Sequence, residues 1–303
     1  MHSVRPVLIG IAGDSGAGKS SLVAQLAKLL GSDRVSVIEL DGYHSLNRPE
    51  RKAVNITALH PRANNLGLFI DHLYRLRKGE KVLRPVYNHD TGDFDDPVWV
   101  EPRPYVIVEG LHPFLFQVAA DMYDLKIYYD THEELKVRWK ILRDATARGY
   151  TVEEVLAEIR KRQWDIRNFV EPQLAMADTV VKLFPLEDER PDAVGVEFKE
   201  PTDNPWLKEK LEQISEISVQ PMRDWIGGRE FLSLSFSQAI PVSTAHVLLE
   251  HMGPRGGAIL GKITHAPFVM PYQLALAILA SWLEAIRQEL DATFEGRGRS
   301  VVG

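Results

Sequence analysis

Cysteine is absent from all 303 residues. Its absence excludes a disulfide framework, an iron–sulfur cluster, a thiolate zinc site and any thiol switch. A chain this long needs none of these to fold, because it buries most of the surface that its unfolded form exposes. An excess of positive charge is missing too. The 36 Lys and Arg stand against 42 Asp and Glu, a net charge of −6, which argues against a general nucleic-acid binder but leaves room for a basic pocket around a small anion. Long apolar runs are also lacking. The longest, Leu274 to Leu283, is bracketed by Gln273 and Glu284; at about half the length that spans a bilayer, it reads as a buried helix rather than a membrane segment. Met1 to Pro6 is polar and Val7–Ala12 is too short for a signal h-region, so the expected setting is the cytoplasm, with no membrane partner.

What is present is an alternation of short apolar runs with longer helical patterns, the signature of βαβ units and a parallel sheet. Val7–Ala12, Val35–Leu40, Tyr105–Val108, Leu125–Tyr129 and Thr179–Phe184 read as strands, mostly apolar on both faces and therefore central. Helices are expected near 18–30, 64–78, 132–148 and 151–170, the last opening with the capping box Thr151-Val-Glu-Glu154. After Pro185 the pattern changes. Leu186 to Pro205 gathers seven acidic residues and three prolines, and reads as an irregular linker or loop. The expected organisation is a core over 1–185, that linker over 186–205, and a smaller α+β extension over 206–303. The extension has a helix at Trp206–Ile217, a half-buried strand at Arg229–Phe236 and a long helix at Gln273–Leu290.

The strongest chemical signal is Gly13-Asp-Ser-Gly-Ala-Gly-Lys-Ser20, which matches G-x-x-x-x-G-K-[ST] between an apolar strand and an amphipathic helix. Its glycines let successive amides point at phosphate oxygens, and the helix adds its positive end. The loop residues Gly13, Asp14, Ser15, Gly16, Ala17, Gly18, Lys19, Ser20 and Ser21 are the expected nucleotide contacts, with Lys19 reaching the β- and γ-phosphates and Ser20 holding Mg²⁺. Alone, the loop does not separate a motor, a switch, a transporter subunit or a small-molecule kinase.

The strand ends narrow the choice. Val35–Leu40 delivers Asp41 where ligands bind in doubly wound sheets, and His44 and Arg48 follow closely. A carboxylate there can deprotonate an acceptor hydroxyl while cations grip a phosphate on the acceptor; equally, Asp41 can cap a turn and Arg48 be a solvated charge. Tyr105–Val108 ends in Glu109, the expected acidic partner of Mg²⁺. The next residue of note, His112, reads as structural. On the helix from His132 to Arg148, Lys136, Lys140 and Arg143 share one face. Beside a phosphate loop such a face reads as a cationic lid that stabilises charge on the transferring group.

At this point the sequence resembles the phosphoribulokinases, within the larger phosphoribulokinase and uridine kinase group, over about residues 6 to 185. Seven blocks carry the resemblance in order: Gly13–Ser20, Leu40-Asp-Gly-Tyr-His-Ser-Leu-Asn-Arg48, Leu59-His-Pro-Arg-Ala-Asn-Asn65, Arg84-Pro-Val-Tyr-Asn-His-Asp-Thr-Gly92, Val108-Glu-Gly-Leu-His-Pro113, Trp139-Lys-Ile-Leu-Arg-Asp144 with Arg148-Gly149, and Glu171-Pro-Gln173. The resemblance implies a P-loop NTPase-type α/β fold, a mostly parallel sheet with helices on both faces. It implies a magnesium-dependent kinase that moves the γ-phosphoryl of ATP to the C1 hydroxyl of D-ribulose 5-phosphate, in the setting of Calvin-cycle carbon fixation. Asp41 would be the general base. Lys19, Lys140 and Arg143 would serve the transferring phosphoryl, Arg148 the nucleotide, and Ser20, Glu109 and Asp41 the Mg²⁺. His44, Arg48, Tyr87, His89, Arg143 and Arg162 would contact the sugar phosphate.

The implied partners are a small phosphorylated sugar, no nucleic acid, and further copies of the chain in a homodimer or higher homo-oligomer. Two departures stand out. Many chloroplast and cyanobacterial members carry Cys in the phosphate loop and a second Cys that pairs with it; Ala17 here, with no cysteine elsewhere, excludes thiol regulation. Gly42 stands where Asp is expected after Asp41, which removes a charge beside the base. A kinase of the same fold for uridine or another pentose phosphate is the near alternative, and a nucleotide-binding regulator without turnover the distant one.

Overall fold

The computed structural model describes residues 5–147, 149–186, 193–212, 222–253 and 255–300. In chain order β1 (Val7–Ala12) leads through the glycine loop to α1 (Lys19–Leu30), β2 (Val35–Glu39) and a short turn of helix at Leu40–Tyr43. Then come α2 (Arg48–Ala53), α3 (Leu66–Arg77), the hairpin β3 (Val82–Asn88) with β4 (Asp93–Val100), and β5 (Tyr105–Gly110). Next are α4 (Gln117–Ala120), β6 (Leu125–Thr131), α5 (Glu133–Ala147), α6 (Val152–Asp165) and β7 (Thr179–Pro185). The remainder holds β8 (Val194–Pro201), α7 (Trp206–Leu211), β9 (Met222–Ile226), β10 (Arg229–Phe236), β11 (Ile240–Pro241), α8 (Val242–Met252), α9 (Gly256–Ile263), β12 (Phe268–Val269) and α10 (Pro271–Ser300).

Among the described residues, eight strands form one sheet in the order β2-β5-β1-β6-β7-β8-β10-β9. The first five are mutually parallel and the last three antiparallel. All six residues of β1 are buried, and they alternate between two cores. Val7, Ile9 and Ile11 pack with α1, α8, α9 and α10, whereas Leu8 and Ala12 pack with α3 and the Leu40–Tyr43 turn. This two-sided burial explains the unbroken apolar runs of the central strands. Thr151 and Glu154 form the expected reciprocal cap at the start of α6. That helix ends at Asp165; a π-turn over Ile166–Val170 continues the path.

Beyond Pro185 the structure departs from the expected linker. The stretch expected to be an irregular linker contains β8, which pairs antiparallel with β7 and with β10, so the sheet runs through it. Glu197, Lys199 and the prolines obscured the strand's alternation, which buries Gly195, Val196, Phe198 and Glu200. Glu200 is buried because it accepts from the amides of Leu207 (2.8 Å) and Lys208 (3.1 Å), tying β8 to α7. The helix expected over Trp206–Ile217 is described only as far as Leu211, its later residues lying outside the described ones. The apolar stretch Leu274–Leu283 is buried inside α10, anchored by Arg34 on Glu284 at 2.6 Å and by Trp282 stacked on Trp206 at 4.3 Å. Among the described residues no helix is long and apolar enough to cross a membrane.

Candidate active site

The carboxyl ends of β1, β2 and β5 open onto one cavity of about 890 Å³. Its first wall is the glycine loop. Gly16 takes φ +89°, a left-handed conformation that glycine adopts without strain, and the Lys140 side chain lies directly over it: a methyl group there would sit 3.6 Å from Lys140 Cβ. Lys19 is buried and donates from Nζ to the carbonyls of Gly13 (2.9 Å) and Asp14 (2.8 Å). Ser20 Oγ donates to Glu109 Oε1 at 2.7 Å. Burial pushes the Glu109 carboxyl up, against the pull of Lys19 and Ser20, and a divalent cation would reverse that. A hydroxyl beside a buried carboxylate is a hard-oxygen donor pair that suits Mg²⁺. Among the described residues no group of three His, Asp or Glu surrounds it, so the rest of a cation's shell would come from phosphate oxygens and water.

The second wall is made of side chains from distant segments. Asp41 sits on the turn that follows β2, with 40% of its side chain exposed to the cavity. His89 Nε2 donates to Asp41 Oδ2 at 3.2 Å, and His44 Nε2 stands 4.0 Å from Oδ1. Enclosure pushes the carboxyl up, but the hydrogen bond from His89 and the nearby His44, His89 and Lys19 outweigh it, and the group is held well below the usual carboxylate range. It is an ionised acceptor at any working pH. Arg48 Nη2 donates to the His89 carbonyl at 2.5 Å, which locks α2 to the loop after β3. Tyr87 is buried, its ring edge-on to His44 and to His89. His112 is also buried and bonded to the Leu59 carbonyl at 2.7 Å; burial lowers its pKa to about 4, and it is a structural residue.

The third wall is the cationic cover from α5 and α6. Lys140, Arg143, Lys161 and Arg162 line the cavity. Burial, and then the neighbouring Arg162, lower the Lys140 ammonium to about 8 despite Asp14 and Asp144. Arg143 is fixed by Asp144 (2.8 Å) and Arg162 by Glu158 (2.7 Å). Lys136, on the same helix face by spacing, turns away toward Asp14, Asp130 and Glu133 at 3.5–3.6 Å and does not line this cavity.

Of the residues singled out from the sequence, the structure brings together Ser15, Gly16, Lys19, Ser20, Asp41, His44, Arg48, Tyr87, His89, Glu109, Lys140, Arg143 and Arg162. Gly13, Asp14, Ala17 and Gly18 build the loop without lining the cavity, and Ser21 is exposed on α1 outside it. Arg148 lies outside the described residues. Sequence reasoning missed Arg51 and Arg84. Arg51 is buried, donates to the Tyr87 hydroxyl at 2.8 Å and lies over that ring at 5.2 Å. Arg84 reaches Glu39 at 3.0 Å, and its Nε is buried without a partner. A signal for Arg51 existed: Asn47 and Glu50 form a capping box with Pro49 in the first turn, which puts Arg48 and Arg51 on one face of α2. Gly42 also acquires a reason. A Cβ there would lie 2.2 Å from the Pro85 carbonyl oxygen, so the β3–β4 hairpin rests on bare backbone where a side chain cannot fit.

Comparison with known proteins gives a consistent result. The model of the phosphoribulokinase / uridine kinase family matches residues 8–189. A phosphoribulokinase of Synechocystis sp. is 43% identical over 208 residues, 65% of this chain and 63% of that protein. The chloroplastic phosphoribulokinase of Arabidopsis thaliana is 38% identical over 196 residues, 59% of this chain and 50% of that one. A uridine kinase of Oceanobacillus iheyensis is 31% identical over 185 residues, 60% of this chain and 88% of that one. The matched region thus spans only half to somewhat under two thirds of the length of these two phosphoribulokinases. In fold it is similar to the phosphoribulokinase structure from Rhodobacter spheroides, with a TM-score of 0.62 at 18% identity over 95% of this chain and 100% of that one.

Proposed function

The chain belongs to the phosphoribulokinase / uridine kinase family, and from that premise we propose that it transfers the γ-phosphoryl group of ATP to the C1 hydroxyl of D-ribulose 5-phosphate, giving the 1,5-bisphosphate and ADP. The observation that carries this reading is Asp41, an ionised carboxylate that shares one cavity with two sets of cations from different segments. Lys19 and Lys140 stand at the glycine loop, with Arg162 beside Lys140, and a second set, Arg48 and Arg51, comes from α2 beside His89 and Tyr87. A nucleoside acceptor would give that second set nothing to neutralise, whereas a sugar phosphate would.

In this reading the glycine-loop amides and Lys19 hold the ATP phosphates. Mg²⁺, bound by Ser20 and Glu109, supplies charge neutralisation on the phosphate oxygens when present. Arg48 and Arg51 grip the phosphate of the acceptor, with the Tyr87 hydroxyl already bonded to Arg51. That grip sets the acceptor's first hydroxyl against Asp41, which accepts its proton as the oxygen attacks the γ-phosphorus and the bond to the ADP oxygen breaks. Lys140 and Arg143 close over the transferring group, where charge spreads over its oxygens. Among the described residues β9 forms one edge of the sheet, and the exposure of Met222 and Trp225 there supports the expected homo-oligomer. The deciding experiment is ADP release with Mg-ATP against ribulose 5-phosphate, ribose 5-phosphate, uridine and unphosphorylated pentoses. Turnover of ribulose 5-phosphate with a kcat/KM at least tenfold above the others is the expected result. Turnover of uridine alone would replace this acceptor while keeping the kinase, and no ADP release with any of them would remove the enzyme reading.

A further inference from the structure

Asn64 belongs to none of the roles assigned above, yet its side chain is fixed on three sides. Its Nδ2 donates to the carbonyls of Ala58 (2.9 Å) and His60 (3.0 Å). Both amide protons are thereby used, so Oδ1 is the atom that faces His44 Nδ1 at 2.7 Å. The backbones are registered as well: His44 and Asn64 form an antiparallel bridge, flanked by Ser45 N to Ala63 O (2.8 Å) and Asn65 N to Tyr43 O (2.6 Å). An amide oxygen only accepts. The proton between the two groups therefore belongs to His44 Nδ1, and in the neutral ring Nε2 carries a lone pair.

That lone pair looks into the cavity. Nε2 stands 4.0 Å from Asp41 Oδ1, while the other carboxylate oxygen, Oδ2, is taken by His89. Five neighbours surround the ring: Asp41 on its own turn, Asn64, Arg51 from α2, and Tyr87 and His89 from β3 and the turn after it. In that neutral ring Nε2 and Asp41 Oδ1 face each other as two acceptors, 4.0 Å apart. Such a gap calls for ligand donors, and a phosphate oxygen, itself an acceptor, is the wrong complement for it.

We propose that Asn64 is a positioning residue that holds His44 as its Nδ1–H tautomer, so that His44 Nε2 accepts a hydrogen bond from a second hydroxyl of the sugar acceptor while Asp41 takes the proton of the first. This deepens the kinase reading and rests on it. It moves His44 from the phosphate, where the family resemblance puts it, to the carbon chain, and leaves the phosphate to Arg48 and Arg51.

Two measurements test it. Nitrogen NMR of the wild-type protein with isotopically labelled histidine, His44 assigned with His44→Gln, is expected to show a protonated Nδ1 and a bare Nε2. A proton on Nε2 overturns the assignment, and this arm needs neither a folded Asn64 variant nor any activity. The second arm is kinetic: KM for ribulose 5-phosphate is compared with KM for its 3-deoxy and 4-deoxy analogues in wild type and in Asn64→Leu. One deoxy analogue is expected to raise KM about tenfold in wild type, the worth of one hydrogen bond, and by less than about twofold in the variant. An equal penalty in both proteins overturns the role of Asn64. Absence of turnover on every pentulose phosphate would instead sink the kinase reading, and the nitrogen spectrum would still decide where the proton lies.

Discussion

The two halves of the cavity are built on different principles. The half proposed for the nucleotide is built mainly on one contiguous stretch, residues 13–20, rich in backbone amides, supported by Glu109 from the neighbouring strand and covered by Lys140 from α5. The acceptor half is assembled from side chains at 41–51, 58–64 and 84–92, and each is held by a partner from another segment: His44 by Asn64, Arg51 by Tyr87, Arg48 by the His89 carbonyl. A backbone site tolerates side-chain change around it, whereas a side-chain site depends on how its loops dock. The nucleotide half should therefore respond to few substitutions and the acceptor half to many, including some that touch no ligand.

The largest effect should come where the halves meet. Asp41→Asn keeps the shape but cannot take a proton, and kcat measured by ADP release should fall by about three orders of magnitude, while ATP affinity by calorimetry stays within about twofold. Lys19→Ala should lose both rate and ATP affinity. Identical behaviour of the two variants would erase the distinction between the halves.

Next in size is Gly42→Asp, which restores the residue that the family resemblance leads one to expect. With a Cβ only 2.2 Å from the Pro85 carbonyl oxygen, the β3–β4 hairpin must move and carry Tyr87 and His89 with it. Acceptor KM should rise by roughly two orders of magnitude, the effect of misplacing a binding group by about 1 Å, with ATP KM little changed. A parallel loss in both constants would show that the halves are not separable.

Arg51→Ala should raise KM for ribulose 5-phosphate by about ten- to thirtyfold, as expected for losing one charged hydrogen bond to phosphate, and leave kcat and ATP KM near wild type. The smallest effect concerns pH. Lys140 is cationic below its pKa of about 8, so its charge over the transferring group is complete near pH 7 and is lost as pH rises through 8. kcat/KM should fall severalfold between pH 7.5 and 9, and Lys140→Arg, which stays charged, should flatten that limb. An unchanged alkaline limb in the arginine variant would remove Lys140 from the titration.

The same division governs what could be read in advance. The glycine loop, the strands that lead to Asp41 and carry Glu109, and the capping box at Thr151 were legible because each is encoded within a few neighbouring residues. The strand β8 was not, because its charged residues and the prolines in and around it imitate a loop until β7 and β10 supply partners. Arg51 went unnoticed: the capping box places it on a face with Arg48, but nothing near it in sequence announces its partner Tyr87, 36 positions away. Gly42 read as a missing charge and is a seat for the hairpin.

The sequence by itself determined the phosphate loop, the central strands, the carboxylates at their ends and the freedom from thiol chemistry. These follow from residue type and short spacing, which fix backbone geometry and periodicity locally. Only the tertiary structure decided which cations line the cavity, that Lys136 leaves the face it shares with Lys140, and which nitrogen of His44 looks into the site. Each of those depends on hydrogen bonds and close approaches between segments far apart in the chain, and their geometry exists only once the loops have packed on the ends of the sheet.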